Sequence, residues 1–261
     1  MTEVQDPFSA ATSVRSLGDG SYVANLHPDW AVGDNPHGGY LLALVTRAVC
    51  DGTGLDPLSI SAQYLRPPRV GPVLIRLNAL KTGKTTTVVR ALLEQRGQVC
   101  VDATVTAGRM PAAEPAWSDL PTMPVNPPQD AIDLRQSTKF FHLAEVCDLR
   151  LDPGTAEFLN GGTGEPRYRM WAKPRDGRPD LLFGLVAGDL TVPVTLNLGR
   201  FGWAPTVQLT AYLRAHPANG WLRMLVDCRA VHGQWFDEDV QVIDSVGRLI
   251  CQARQLALSP N

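Results

Sequence analysis

Between Tyr40 and Cys50 the chain carries no charge except Arg47, and the run follows directly on Asn35-Pro36-His37-Gly38-Gly39. A proline and two glycines stop a helix from starting earlier. The pattern predicts a turn that opens a helix apolar nearly all round, and such a helix belongs inside something. Strand-like segments are placed to enclose it. Thr12 to Ser16 and Ser21 to Leu26 flank the turn Leu17-Gly18-Asp19-Gly20 and read as a hairpin. Ser59 to Arg66, Val73 to Lys81, Thr86 to Gln95 and Gln98 to Ala107 are rich in Val, Leu, Ile and Thr and are separated by Pro-Pro, Gly-Lys or Arg-Gly turns.

Residues 109–134 change character: prolines, alanines and acids dominate and periodicity fades, which reads as a linker. Beyond it, Phe140 to Leu149 and Arg167 to Lys173 read as strands separated by the turn Gly161-Gly162-Thr163-Gly164. Pro179-Asp180 then opens a second apolar segment, Leu181 to Val192, with Pro179 suited to a first helical turn. Three or four more strands run from Thr206 to Leu258. The halves repeat one another. Tyr64-Leu65-Arg66 recurs as Tyr212-Leu213-Arg214, 148 positions on, while Gly83 and Gly97 match Gly233 and Gly247 at 150. With the same order of elements, this reads as a duplication, with residues 1–108 and 135–261 as the two copies. A duplicated chain imitates a two-fold dimer.

Composition narrows the function classes. A net charge of −2 over 261 residues leaves no basic footprint for nucleic acid. The five cysteines are far apart with no C-x-x-C pair, as expected of reduced core thiols in a cytoplasmic protein. Glu3 and Asp6 stand where a signal peptide would carry basic charge, and no apolar run is long enough to span a bilayer. A small-molecule site is the expectation, without a membrane.

Asp189 is the only ionisable residue between Leu181 and Gly199. A lone carboxylate in apolar surroundings is either at a frayed helix end in solvent or a tuned catalytic group. In the last strand, Leu249, Cys251, Ala253, Gln255 and Ala257 share the inward face, so Gln255 is its polar member; its first-copy counterpart is Val105. The alternative is a core glutamine satisfied by backbone. Alternation puts Thr206 beside Gln208 and Thr210, either a wet face or, since the first copy has Leu58, Ile60 and Ala62 there, a covered one. Gly38 and Gly39 let backbone N–H groups approach a ligand, or serve as plain punctuation.

Other signals fail on inspection. Gly83-Lys84-Thr85 lacks the earlier glycine of a phosphate loop, because Asn78 stands there. There is no G-x-S-x-G elbow, His232 lies five residues after Asp227 without forming a convincing dyad, and none of the five histidines has metal-ligand spacing.

With these residues assembled, the chain resembles the acyl-CoA thioesterase II family, whose members carry two hotdog folds in one polypeptide. The marks are Gly38-Gly39, Tyr64-Leu65-Arg66-Pro67 and the Gly83 hairpin in the first half. In the second they are Gly188-Asp189-Leu190, Thr206-Val207-Gln208, Trp221-Leu222 and Gly247-Arg248-Leu249 leading to Gln255. The resemblance implies an α+β fold, a double hotdog in which each copy wraps a curved antiparallel sheet around a central helix. It also implies hydrolysis of fatty acyl-CoA by a water held by Asp189, Thr206 and Gln255, with no metal or organic cofactor. Helix polarity puts the carbonyl oxygen near the Gly39 N–H. His37 becomes a bystander. The family's Asp-His after the threonine is Gln208-Leu209 here, and the segment from Asp189 to Thr206 is shorter, which leaves the acyl length unreadable.

Two other readings stand beside this one. Asp34-Asn35-Pro36-His37 superficially resembles an enoyl-CoA hydratase motif, but Asp34 precedes His37 by three residues where that motif needs five. A non-catalytic acyl-CoA or lipid binder would keep the fold without turnover. Exposed sheet edges would allow a homodimer.

Overall fold

A computed structural model describes residues 6–136 and 141–260. A short helix α1 (Pro7–Ala11) leads into strands β1 (Arg15–Ser16) and β2 (Ser21–Leu26), a two-stranded ladder of β3 (Ala31–Val32) and β4 (Asn35–Pro36), and helix α2 (Gly38–Thr53). Strands β5 (Asp56–Tyr64), β6 (Gly71–Thr82), β7 (Thr86–Gln95) and β8 (Gln98–Gly108) complete the first half. The second half runs through β9 (Ile132–Asp133), α3 (Leu143–Val146), β10 (Cys147–Leu151), β11 (Arg167–Pro174), α4 (Leu181–Ala187), β12 (Thr206–Leu213), β13 (Leu222–Asp227), β14 (Val231–His232), β15 (Trp235–Ile243) and β16 (Leu249–Leu258).

The strands other than β3 and β4 form one antiparallel sheet in the order β1-β2-β6-β7-β8-β5-β12-β16-β15-β13-β11-β10-β9, with β14 on β15. Read from either end the order is the same: β2-β6-β7-β8-β5 mirrors β11-β13-β15-β16-β12. This is a double hotdog, each half enclosing one helix, with α2 packed against α4 inside. The sheet ends in strands of two residues, β1 and β9, so neither edge offers much backbone to another chain.

The central ladder locates the pseudo-two-fold axis. Ser61 pairs with Thr210, with Ile60 opposite Ala211 and Ala62 opposite Leu209. An axis through the Ser61–Thr210 pair relates Ile60 to Leu209 and Ala62 to Ala211, all four buried, at an offset of 149 residues. The Tyr-Leu-Arg match in the sequence is therefore one residue out of structural register. In a strand, one residue reverses the face. Tyr64 lines a cavity, while Tyr212 is 50% exposed; the structural counterpart of Tyr64 is the buried Leu213.

Two other expectations are corrected. The segment from Phe140 to Leu149 is not one strand: Leu143–Val146 is a short helix that buries Leu143 and Ala144, β10 starts at Cys147, and Phe140 lies outside the described residues. Helix α4 stops at Ala187, five residues short of Val192. Asp180 caps it by accepting from the Phe183 N–H at 2.7 Å, which leaves Pro179 before the helix. Within residues 109–134, Met123 is buried, its carbonyl accepts from Arg223 Nη1 at 2.8 Å, and Ile132–Asp133 pairs with β10.

Helix α4 lies close on the sheet because of its glycines. A Cβ on Gly184 would come within 2.6 Å of Ile250 Cγ2, and one on Gly188 within 3.0 Å of both Ala253 Cβ and Cys251 Sγ. Directly after Gly188 the chain turns Asp189 toward the start of α2.

Candidate active site

Helix α2 begins at Gly38 with His37 at its N-cap, and the His37 side chain makes no capping bond. The missing acceptor comes from the other half of the molecule. Asp189 Oδ2 accepts from the Gly39 N–H at 2.6 Å. The free N–H groups and partial positive charge of a helix start suit a carboxylate. The approach requires glycine, because a Cβ on Gly38 would stand 2.8 Å from Asp189 Oδ2 and one on Gly39 3.0 Å from Asp189 Cβ.

Asp189 is buried, and loss of water pushes its carboxyl up to about 7 despite the lowering effect of the Gly39 hydrogen bond. It is not at a frayed, solvated helix end. His37 is no bystander to this arrangement either. Its Nε2 lies 3.1 Å from the Asp189 carbonyl oxygen and 3.6 Å from Oδ2. A carbonyl oxygen only accepts, so Nε2 carries the proton and Nδ1 is bare. Nδ1 is buried with no partner among the described residues, and burial drops the imidazole to about 4 against the raising effect of the Asp189 carbonyl. His37 is therefore neutral at ordinary pH.

His37, Gly38 and Asp189 line a cavity of about 630 Å³ together with Tyr64, Thr206, Glu238 and Gln255. Gln255 is buried on the inward face of β16, and Thr206 Oγ1 donates to its Oε1. Thr206 reaches the cavity through a β-bulge: it pairs with Ala257, yet Gln208 pairs with Leu256, so Val207 is the extra residue. The bulge breaks the alternation that would have placed Thr206 with Gln208 and Thr210. Those two instead bond to one another and to Ser61 on the outer face. The first half has the same bulge between Pro57 and Ser59, so the ladder counterpart of Thr206 is Pro57, which pairs with Ala107, rather than Leu58.

Glu238 is the residue that sequence reasoning missed. It is fully buried in β15, accepts from Thr191 Oγ1 and from the Val194 N–H at 3.2 Å, and receives Gln255 Nε2 at 3.0 Å. Burial pushes its carboxyl up to about 7 against these three hydrogen bonds. Glu238 accepts from Nε2 and Thr206 donates to Oε1, so the Gln255 amide stands with its nitrogen toward Glu238 and its oxygen toward Thr206. A signal existed: Phe236, Glu238, Val240 and Val242 share one face of β15, so Glu238 is a charged residue on an apolar face. Applied to β15, the reasoning that picked out Gln255 would have found it.

Asp34 does not line this cavity but a separate surface cleft, so the pairing with His37 that a hydratase motif would need is not assembled. Among the described residues, no three His, Cys, Asp or Glu side chains gather as a metal site. No helix among them is long and apolar enough to cross a membrane.

Two family models match the chain: the acyl-CoA thioesterase N-terminal domain over residues 26–108 and the acyl-CoA thioesterase C-terminal domain over residues 118–259. The chain belongs to the acyl-CoA thioesterase family. It is an enzyme of thioester hydrolysis. The uncharacterized protein Rv0499 of Mycobacterium tuberculosis is 36% identical over 265 residues, covering 92% of this chain and 91% of that one. Among solved structures, a protein described as a thioesterase II from Thermobifida fusca YX is similar with a TM-score of 0.90 at 29% identity, over 99% of both chains. Acyl-CoA thioesterase II TesB2 from Mycobacterium marinum shares the fold with a TM-score of 0.74 at 15% identity, over 97% of this chain and 96% of that one. In this thioesterase, then, both matched domains contribute to one cavity: His37, Gly38 and Tyr64 from the first, Asp189, Thr206, Glu238 and Gln255 from the second.

Proposed function

We propose that this thioesterase hydrolyses fatty acyl-CoA to a free fatty acid and CoA, with Asp189 as general base and Thr206 and Gln255 holding the water. The two hotdogs, residues 1–108 and 135–261 joined by 109–134, act as one catalytic unit. The observation that carries the reading is the buried Asp189 carboxylate, pushed up to about 7 by loss of water and anchored to the start of α2. A base of that strength is matched to work near neutral pH.

The hydrogen bonds leave suitable groups free. Thr206 donates to Gln255, so its oxygen can still accept from a water. Gln255 uses one N–H on Glu238 and has a second to offer. The water oxygen attacks the thioester carbon as its proton passes to Asp189, giving a tetrahedral oxyanion. The C–S bond then breaks, and the CoA thiolate takes the proton back from Asp189. An apolar lining that includes Leu41, Leu134, Phe141, Val192 and Leu258 suits an acyl chain.

The test is release of free thiol from a panel of acyl-CoAs, short to long, by the wild type and by Asp189→Asn. Thiol release that disappears in the variant supports the assignment. Tight binding of an acyl-CoA without thiol release identifies a binder, and full turnover by Asp189→Asn moves the base elsewhere.

A further inference from the structure

Resting on this reading of the cavity as a thioester hydrolase site, we propose that Tyr64 is a further catalytic residue, whose hydroxyl donates a hydrogen bond to the thioester carbonyl oxygen and to the oxyanion that forms from it. Tyr64 closes β5 and lines the cavity. Its hydroxyl is buried and has no partner among the described residues. A hydroxyl held unpaired out of water is costly unless something arrives to accept from it.

Its position says what that is. The hydroxyl oxygen lies 3.1 Å from where a Cβ on Gly38 would stand, and Asp189 Oδ2 lies 2.8 Å from that same point. Donor and base thus flank one small space at the start of a helix of 16 residues. The Gly39 N–H, the backbone donor that helix polarity would have offered to the carbonyl oxygen, is already taken by Asp189. The Tyr64 hydroxyl, unpaired among the described residues, remains as a donor beside this space. Developing negative charge there is stabilised by a donor already in place.

The duplication argues against a purely structural hydroxyl. Across the pseudo-two-fold axis Tyr64 corresponds to Leu213, buried in apolar surroundings, so the fold needs no polar group at that position. The pair Val105 and Gln255 shows the same asymmetry in the other direction. Burial, followed by the Asp189 charge, holds the Tyr64 phenol well above its ordinary range, so it remains a donor throughout and transfers no proton.

The test is Tyr64→Phe, which keeps the ring. With the acyl-CoA that the wild type cleaves best, kcat should fall by about 10²–10³-fold, the loss typical of one oxyanion donor. KM should stay within about threefold and the melting temperature should hold or rise, because an unpaired hydroxyl has been removed. A fluoroketone analogue of that acyl-CoA, which adds water to form a tetrahedral species, should lose affinity in parallel with kcat. An S-alkyl-CoA thioether, which has no carbonyl, should bind as before. Tyr64→Phe with kcat within about threefold of wild type, or with equal loss of affinity for both ligands, overturns the assignment while leaving hydrolysis intact. Absence of thiol release by the wild type overturns the hydrolase reading itself, and the Tyr64 role with it.

Discussion

Asp189 and Gly39 lie 150 residues apart in the chain and meet at 2.6 Å, the carboxylate of one half capping the helix of the other. The contact makes the site a property of the duplicated chain, since neither half holds both partners. The pseudo-symmetric end of the helix pair is held by other contacts. Arg47 reaches across to Asp180 Oδ2 at 3.1 Å, and Phe8 packs edge-on against Phe183.

Asp189→Asn should abolish most turnover and stabilise the protein. The folded-state carboxyl is raised to about 7 from 3.8, so its contribution to stability is complete below pH 3.8 and is lost as pH rises through about 7. The loss is on the order of 4 kcal/mol. The asparagine has no such dependence, so its advantage in melting temperature should grow between pH 5 and pH 8. Thermal denaturation at the two pH values measures this, and equal shifts at both would contradict a buried, perturbed acid.

The acid limb of the wild-type profile should follow the same group. kcat/KM is expected to rise with pH and level off above about 7, as Asp189 loses its proton. His37, held neutral with its imidazole near 4, should add no second inflection to this limb above pH 5. A profile flat from pH 5 to 9 would remove Asp189 from the role of base.

Glu238→Gln and Glu238→Ala should separate positioning from folding. Alanine leaves Thr191, the Val194 N–H and Gln255 without their buried acceptor and should destabilise by about 2–4 kcal/mol. Glutamine keeps the volume and an acceptor but frees the Gln255 amide to turn, so kcat should fall by about 10-fold or more while the fold survives. Removing the charge should also ease ionisation of Asp189, moving the acid limb to lower pH. An unmoved limb with unchanged kcat would leave Glu238 a structural residue only.

Gly38→Ala inserts a Cβ between Asp189 and Tyr64 at 2.8 and 3.1 Å. Helix propensity by itself favours alanine by up to about 1 kcal/mol, so any damage should be local to the site. The expected result is turnover reduced at least about 10-fold with little change in melting temperature, read from thiol release and thermal denaturation on one preparation. A turnover equal to wild type would mean that the space is not used.

What the sequence determined by itself is whatever repeats within a few residues. The apolar run after Gly39 forms α2, alternation defines the long strands, and the lone acid Asp189 and the polar Gln255 stand out against apolar neighbours, because helix and strand periods are local properties. What only the tertiary structure decided depends on where the strands lie against one another. The ladder at Ser61 and Thr210 moved the repeat by one residue and so put Tyr64 inside and Tyr212 outside. The bulge at Val207 turned Thr206 toward Gln255, against the alternation that placed it with Gln208. Glu238 and His37 gained their roles through contacts 17 and 152 residues away in sequence. Register, bulges and buried polar contacts are settled by packing across the whole sheet, where one residue of slip reverses every side chain, and no window along the chain contains that information.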